Sequence, residues 1–459
     1  MAALGGGVFS GGSGGRNDKS LSLGLLDTIR MAWADPDLRA RLIFILTMFG
    51  VFAIGTHIPV PIPGIDSASL WDKLAKNPQL DLLNTFGGNA LRRMSILALG
   101  LGPYITASII IQVLTTAFPT WKKELQEGGE YARRAQNRRT RALTLFLCIF
   151  QGLGLYALMA NYEPTLAGQP WVVRATTVIF WTAGAMFMLW LGEQMSEKGI
   201  GNGVSLMIFA GIIIALPFQF SHLAQGVSEG VISWFSIIGL LAIFFISTYV
   251  VVLFTVAQRR IPIQHMRRQV GTKIVGGQTS YLPFSLNLVG VIPIIFASAL
   301  IYIPAQLGMA FGGEKTPIGS FFTTLQSYLN PAEGGFKMVC GFIAYTLLIF
   351  FFTYFYTAVQ YNVEDIANNL KRGGSFIPGV RPGKQTKDFL DGVISRVTLV
   401  GSVFLAAVAL TQYMAPKLTN IPYRWMSIVG GTTLLIVVSV ALETLRQIEA
   451  NLLMKQYNQ

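Results

Sequence analysis

Ten stretches of this 459-residue chain are apolar, about a bilayer in length, and free of Asp, Glu, Lys and Arg. They lie near 42–58, 94–117, 142–160, 175–192, 203–220, 234–257, 284–307, 338–361, 397–415 and 425–442. A hydrocarbon core needs about 20 apolar residues of helix at 1.5 Å each. One Asp, Lys or Arg at a span centre costs roughly 2.5–3.5 kcal/mol. Ten clean windows therefore predict an all-α polytopic membrane protein with ten transmembrane helices. Composition agrees: only 12% of residues are charged and 52% are hydrophobic, against about 25% charged in a soluble domain.

The net charge is +13. Assigning alternate loops to opposite sides places 26 of the 35 Lys and Arg with the termini and 9 on the other side. That asymmetry predicts cytoplasmic termini and supports an even number of spans. Ten spans divide into halves, 39–220 and 221–445. An odd number per half makes the second half enter the membrane in the inverted sense.

Residues 1–20 are rich in Gly and Ser, without the apolar core of a secretory signal, and read as a disordered cytoplasmic tail. Over 21–38 a helix lying in the interface is expected, because Leu25, Leu26, Ile29 and Trp33 recur at helical spacing opposite Asp27 and Arg30. Residues 446–459 read as a cytoplasmic tail. Leu80–Gly102 breaks the pattern. A short apolar piece is interrupted by Gly87-Gly88 and Arg92-Arg93 before a full span follows. Two readings stay open: an outer loop helix at the interface, or a short re-entrant plug at about 80–93, tolerated only if protein surrounds it.

Cys148 and Cys340 fall inside apolar runs and read as packing residues. The three histidines, His57, His222 and His265, are far apart, and no cluster has metal spacing. A Gly-x-x-x-x-Gly-Lys-Ser/Thr phosphate loop is missing, so no nucleotide hydrolysis, cofactor or catalytic residue is expected, and energy must come from a partner.

Several motifs are specific: ILALGLGPYITASIIIQ (96–112), LGEQMSEKGIGNGVSLMIFAGI (191–212), AQRRIPIQ (257–264), NLVGVIPIIFAS (287–298), NNLKRGGSFIPGVRPGKQT (368–386), GGTTLLIVV (430–438) and PVPIPGID (59–66). In order and spacing they resemble the SecY family of protein-conducting channels, from about residue 40 to 455. The resemblance implies two inverted five-helix halves around a central pore with a plug helix. Unfolded polypeptides would cross through the pore, and hydrophobic segments would leave sideways into lipid.

It also implies roles. A pore ring built from spans 2, 5, 7 and 10 falls on Ile105, Ile109, Val204, Ile208, Ile295 and Ile436. The first two pairs are i, i+4 and share a helix face. Such a ring excludes ions by staying dry, and Val204 is smaller than the isoleucine common at its place. The plug falls on Leu82, Leu83, Asn84, Thr85, Phe86, Gly87, Gly88, Asn89, Ala90, Leu91 and Arg92, with Asn84, Thr85 and Asn89 expected to leave it weakly anchored. A lateral gate between spans 2–3 and 7–8 has Gln112, Gln151 and Asn287 as isolated polar candidates, worth about 0.6–2 kcal/mol per contact; capping or hydration is the equal alternative.

The loops 258–283 and 362–396 carry Arg259, Arg260, Arg267, Arg268 and Lys273, then Lys371, Arg372, Arg381, Lys384 and Lys387. The resemblance makes them docking sites for the SecA motor ATPase and for ribosomal RNA, with Arg381 the critical arginine. SecE and SecG are implied as small partners in a heterotrimer, with signal peptides, nascent chains and membrane lipid as further contacts. Two rivals are an ion-coupled secondary transporter, which would carry ionisable residues within its spans, and a pore-less insertase or scaffold.

Overall fold

Helix α1 (Leu25–Ala34) ends where Asp35 and Pro36 start the first span, α2 (Pro36–Gly55). An Asp35 carboxylate oxygen accepts from the N–H groups of Asp37 and Leu38 at 2.9 and 3.3 Å. Proline at the first helical position forfeits no bond. The interfacial helix expected over 21–38 thus stops at Ala34. It packs on α2 and the last helix, with Thr28 and Ala32 buried and Trp33 exposed.

The structure is a computed structural model. It describes residues 25–63, 67–74, 84–265, 268–270, 273–275, 279–311, 316–331, 335–419, 421 and 430–458. The tail expected over 1–20 and the plug positions Leu82 and Leu83 lie outside them, as does Arg267. After α2 come α3 (Ser67–Leu74), α4 (Gly102–Ala117), α5 (Pro119–Glu127), α6 (Gly129–Tyr162), α7 (Pro164–Ala167), α8 (Trp171–Lys198), α9 (Gly203–Ser228) and α10 (Trp234–Val256). The second half continues with β1 (Gln258–His265), β2 (Arg268–Val270), β3 (Lys273–Val275), β4 (Thr279–Ser285), α11 (Ile292–Ala310), α12 (Pro317–Leu329), α13 (Phe336–Gln360), α14 (Val363–Arg372), β5 (Ser375–Phe376), α15 (Lys384–Thr419) and α16 (Gly431–Asn458).

Each of the ten apolar windows carries a helix. Among the described residues eight are long and apolar enough to cross a membrane, and α4 and α11 are shorter. Two windows start too early. The span expected from 94 begins at Gly102, because Met94 and Gly100 turn through positive φ (49° and 56°) and Ser95 bridges to Pro59. The span expected from 284 begins at Ile292, because Phe284 and Ser285 belong to β4 and Gly290 turns at φ 66°. Hydropathy averages over such backbone turns and cannot see them.

Spans α2, α4, α6, α8 and α9 pack on one another, and α10, α11, α13, α15 and α16 do likewise. The halves meet mainly along two seams. On one, α11 lies against α4 and α6; on the other, α9 lies against α16. The outer faces stay apolar. On α10, Phe235, Phe245 and Tyr249 are all more than half exposed, as on a face turned to lipid or to a partner. Lys455 Nζ lies 2.9 Å from both carboxylate oxygens of Asp35, which puts the end of the last span beside the start of the first. Both therefore lie at the same end of the bundle, as an even span count requires.

The long basic loops are folded. β4, β1 and β5 form one antiparallel sheet in that order, with Gln258 opposite Ser285 and Gln264 opposite Phe376. Strand β1 alternates, burying Ile261 and Ile263 while exposing Arg260, Pro262 and Gln264, as a half-covered sheet demands.

Candidate functional site

Four of the five helices at the seams carry the expected ring. Ile105 and Ile109 lie on α4, Val204 and Ile208 on α9, Ile295 on α11 and Ile436 on α16. Asn202 starts α9 by accepting from the Val204 and Ser205 N–H groups at 3.0 and 3.4 Å, which fixes where Val204 falls. All six side chains belong to one apolar cluster: Ile109, Ile208 and Ile436 are buried within it, and Ile105, Val204 and Ile295 are half-buried against it. Residues as far apart in the chain as Ile105 and Ile436 share this one core; sequence could place them on helices but not in a common core.

Phe86 packs on the same cluster. Its segment, 84–101, is a series of turns after one short helical stretch, and most of it is buried. Gly88 and Asn89 adopt positive φ (67° and 63°), so the glycine is required at the first of these bends. The segment is pressed between helices: a β-carbon on Gly184 of α8 would overlap the Ile96 carbonyl oxygen. Over its described residues, 84–101, the segment is enclosed in protein.

Its polar side chains differ from expectation. Asn84 Nδ2 donates to Asn89 Oδ1 at 2.9 Å, and the Arg92 N–H donates to Asn84 Oδ1 at 2.9 Å. Gln219 of α9 donates through Nε2 to Thr85 Oγ1 at 3.2 Å, and the Arg92 guanidinium stacks 3.7 Å above the Phe218 ring. Thr85 therefore ties the segment to α9, where weak anchoring was expected, while Asn84 and Asn89 find their partners within the segment.

A cavity of about 110 Å³ lies beside the cluster, lined by Phe86 and Leu91 of the turn segment and by Ile105, Ile295 and Gln151. Sequence reasoning passed over several of its polar walls: Gln306, Gln412, Ser298 and Tyr345. Ser298 Oγ and Tyr345 Oη are 3.0 Å apart, and Thr432 donates to Gln412 Oε1 at 2.8 Å. Gln306 and Gln412 were as visible as Gln112, being isolated amides in apolar runs. Of the three gate candidates, Gln151 faces this cavity. Gln112 lies against the Tyr356 hydroxyl of α13, across from its own half. Among the described residues, the Oε1 of Gln112 and the Oδ1 of Asn287 are buried without hydrogen-bond partners.

At the basic loops, Arg259, Arg260, Lys371, Arg372, Arg381 and Lys384 are exposed. The side chains of Arg268 and Lys273 lie outside the described set. Ile261 and Phe284 from the first loop share a core with Ile377 and Leu390 from the second. His265 joins the loops again, with Nδ1 2.8 Å from Ser375 Oγ and Nε2 3.1 Å from Ser280 Oγ. Thr386 donates to the Arg381 carbonyl at 2.9 Å, closing the tip. Lys387 Nζ contacts Glu364 Oε2 at 2.9 Å; this hydrogen bond holds the Glu364 carboxyl below its usual range and pushes Lys387 up. The linkage between the loops was missed, although the alternation in RRIPIQ signalled a strand.

Among solved structures, one described as the structure of a protein conducting channel superposes with a TM-score of 0.64 at 19% identity, covering 89% of this chain and 91% of that one. A structure of a SecY protein whose plug domain stabilises the closed state and maintains a membrane seal matches equally well. Sec61 from the canine ribosome-channel complex gives 0.58 at 17% identity with the same coverage. The fold is that of a protein-conducting channel. The SecY family model matches residues 95–445. The protein translocase subunit SecY of Staphylococcus epidermidis is 38% identical over 446 residues, covering 94% of this chain and 99% of that one. Its namesake from Staphylococcus aureus is 36% identical over 443 residues with the same coverage. The chain belongs to the SecY family.

Proposed function

We propose that this chain is the pore-forming subunit of the Sec translocon, carrying unfolded polypeptides across the cytoplasmic membrane and releasing hydrophobic segments into lipid. One observation carries the reading: six aliphatic side chains from four of the seam helices belong to one apolar core, against which Phe86 of an enclosed turn segment also packs. An aliphatic constriction excludes ions by dewetting. It accommodates varied side chains, because apolar contacts are non-directional. The segment around Phe86 is the plug, and parting of the seam between α11 and α4/α6 is the lateral exit. Gln112, Gln151 and Asn287 tune that seam.

The two basic loops, folded into one sheet, form a cytoplasmic platform. Arg259, Arg260, Lys371, Arg372, Arg381 and Lys384 there suit the phosphates of ribosomal RNA and the SecA motor. SecE and SecG complete the heterotrimer, and both termini lie in the cytoplasm. The chain itself acts as a channel and draws energy from its partners.

The test is reconstitution in vesicles with SecE, SecG, SecA, ATP and a signal-bearing precursor. The expected result is ATP-dependent protection of the precursor from added protease. A precursor that stays fully digestible, with SecA binding intact, overturns the proposal.

A further inference from the structure

Helix α12 joins α11 to α13 on the side opposite the basic loops, and it is not long enough to cross a bilayer. Thirteen residues span about 20 Å of helix. It contains no charged residue. Ile318, Phe321, Leu325 and Tyr328 recur at helical spacing and are 59%, 64%, 37% and 43% exposed. Ser320 and Ser327 flank this stripe on one side, and Phe322 and Leu329 lie on the other, more covered side. The helix thus has three faces: one packed, one polar and one apolar yet open.

Two close approaches fix its depth. A β-carbon on Gly308, two residues before the end of α11, would fall 3.1 Å from Thr323 Cγ2. A β-carbon on Gly341 would fall 2.7 Å from the Asn330 carbonyl carbon. Gly341 lies five residues inside α13, about 7.5 Å along its axis. The open apolar stripe of α12 therefore runs level with the ends of two spans. On α13 it continues into Phe336, Val339 and Ile343, which are 76%, 47% and 56% exposed. Lys337, 5.5 Å above the Tyr328 ring, marks the polar boundary.

We propose that α12 is an interfacial anchor that sinks Ile318, Phe321, Leu325 and Tyr328 into the lipid leaflet opposite the basic loops. The matching depth is that of amphipathic helices that bury one face about 5–10 Å into the headgroup boundary. The occupant is lipid rather than protein, because the stripe is continuous with the apolar surfaces of membrane spans. Being packed on α11, which carries Ile295, the anchor ties one helix of the seam to the leaflet.

The experiment places an NBD fluorophore on F321C or on S327C in a C340S background, Cys148 being fully buried. The full chain is reconstituted with its partner subunits in phosphatidylglycerol–phosphatidylcholine vesicles. The label at 321 should emit to the blue of that at 327, be quenched by shallow nitroxide lipids, and be shielded from aqueous iodide; at 327 iodide should quench. L325C should repeat the behaviour of F321C. Equal iodide quenching at 321 and 327 overturns the proposal, and so does shielding of 321 from both quenchers, which would mean that protein covers the stripe. The readout needs no transport, so it stands or falls apart from the channel reading.

Discussion

A β-carbon on Gly211 of α9 would overlap the carbonyl oxygen of Phe86. Gly211 sits three residues beyond Ile208, so the turn segment touches bare backbone at the level of the aliphatic cluster. Backbone meets backbone there, and no flexible side chain can yield.

Gly211→Ala should therefore push the segment away from α9. Overpacking of this kind costs about 1–3 kcal/mol, and each 1.4 kcal/mol is tenfold in an equilibrium. The resting population with a displaced segment should rise by about 5- to 100-fold. Ion conductance of vesicles holding the idle complex is the measurement. An unchanged leak would place the seal elsewhere.

Ile436→Asn tests the cluster itself. Ile436 is buried at 2% exposure, and an amide there brings a polar group that demands water or a partner. Resting ion leak should increase, and precursors with defective signals should be exported more readily. Leu434→Asn, at a buried position two residues away on the same helix, serves as the control for general damage to α16. Equal leak in the two variants would remove Ile436 from the seal.

Arg381→Glu reverses charge at the exposed tip whose backbone Thr386 holds. SecA-driven export should fall to background while the amount of chain in the membrane is unchanged. Binding of SecA, measured against salt, should weaken in the same variant. Normal export would remove Arg381 from the docking surface.

The Glu364–Lys387 contact ties α14 to α15 and has a defined pH window. The Glu364 carboxyl is held below its ordinary value by the Lys387 hydrogen bond, so its contribution is present at neutral pH. It is lost as pH falls through that lowered value. Lys387 is pushed up, so its part is lost only as pH rises through the raised value. Amide exchange at 363–372 should quicken below the ordinary carboxylate range, and Glu364→Gln should remove that acid step.

Much of the fold was legible in the sequence. A helix lies at each of the ten clean windows, since helix is the way a single segment satisfies its own backbone in lipid. Where the windows misjudged, at 94 and 284, positive-φ turns and a strand displaced the helix start. The ring positions came from matched motifs, and each fell on the helix expected for it. Thr85 was misread, because its partner is Gln219, 134 residues beyond it.

Sequence alone determined that this chain lives in lipid, that each of its ten clean windows carries a helix and which loops carry its charge. Those are one-dimensional consequences of hydropathy and helix length. Only the tertiary structure decided that the broken segment is enclosed, that Phe86 meets Gly211, and that two separate loops share one sheet. Each depends on long-range packing and on backbone pairing, which no local pattern of residue types encodes.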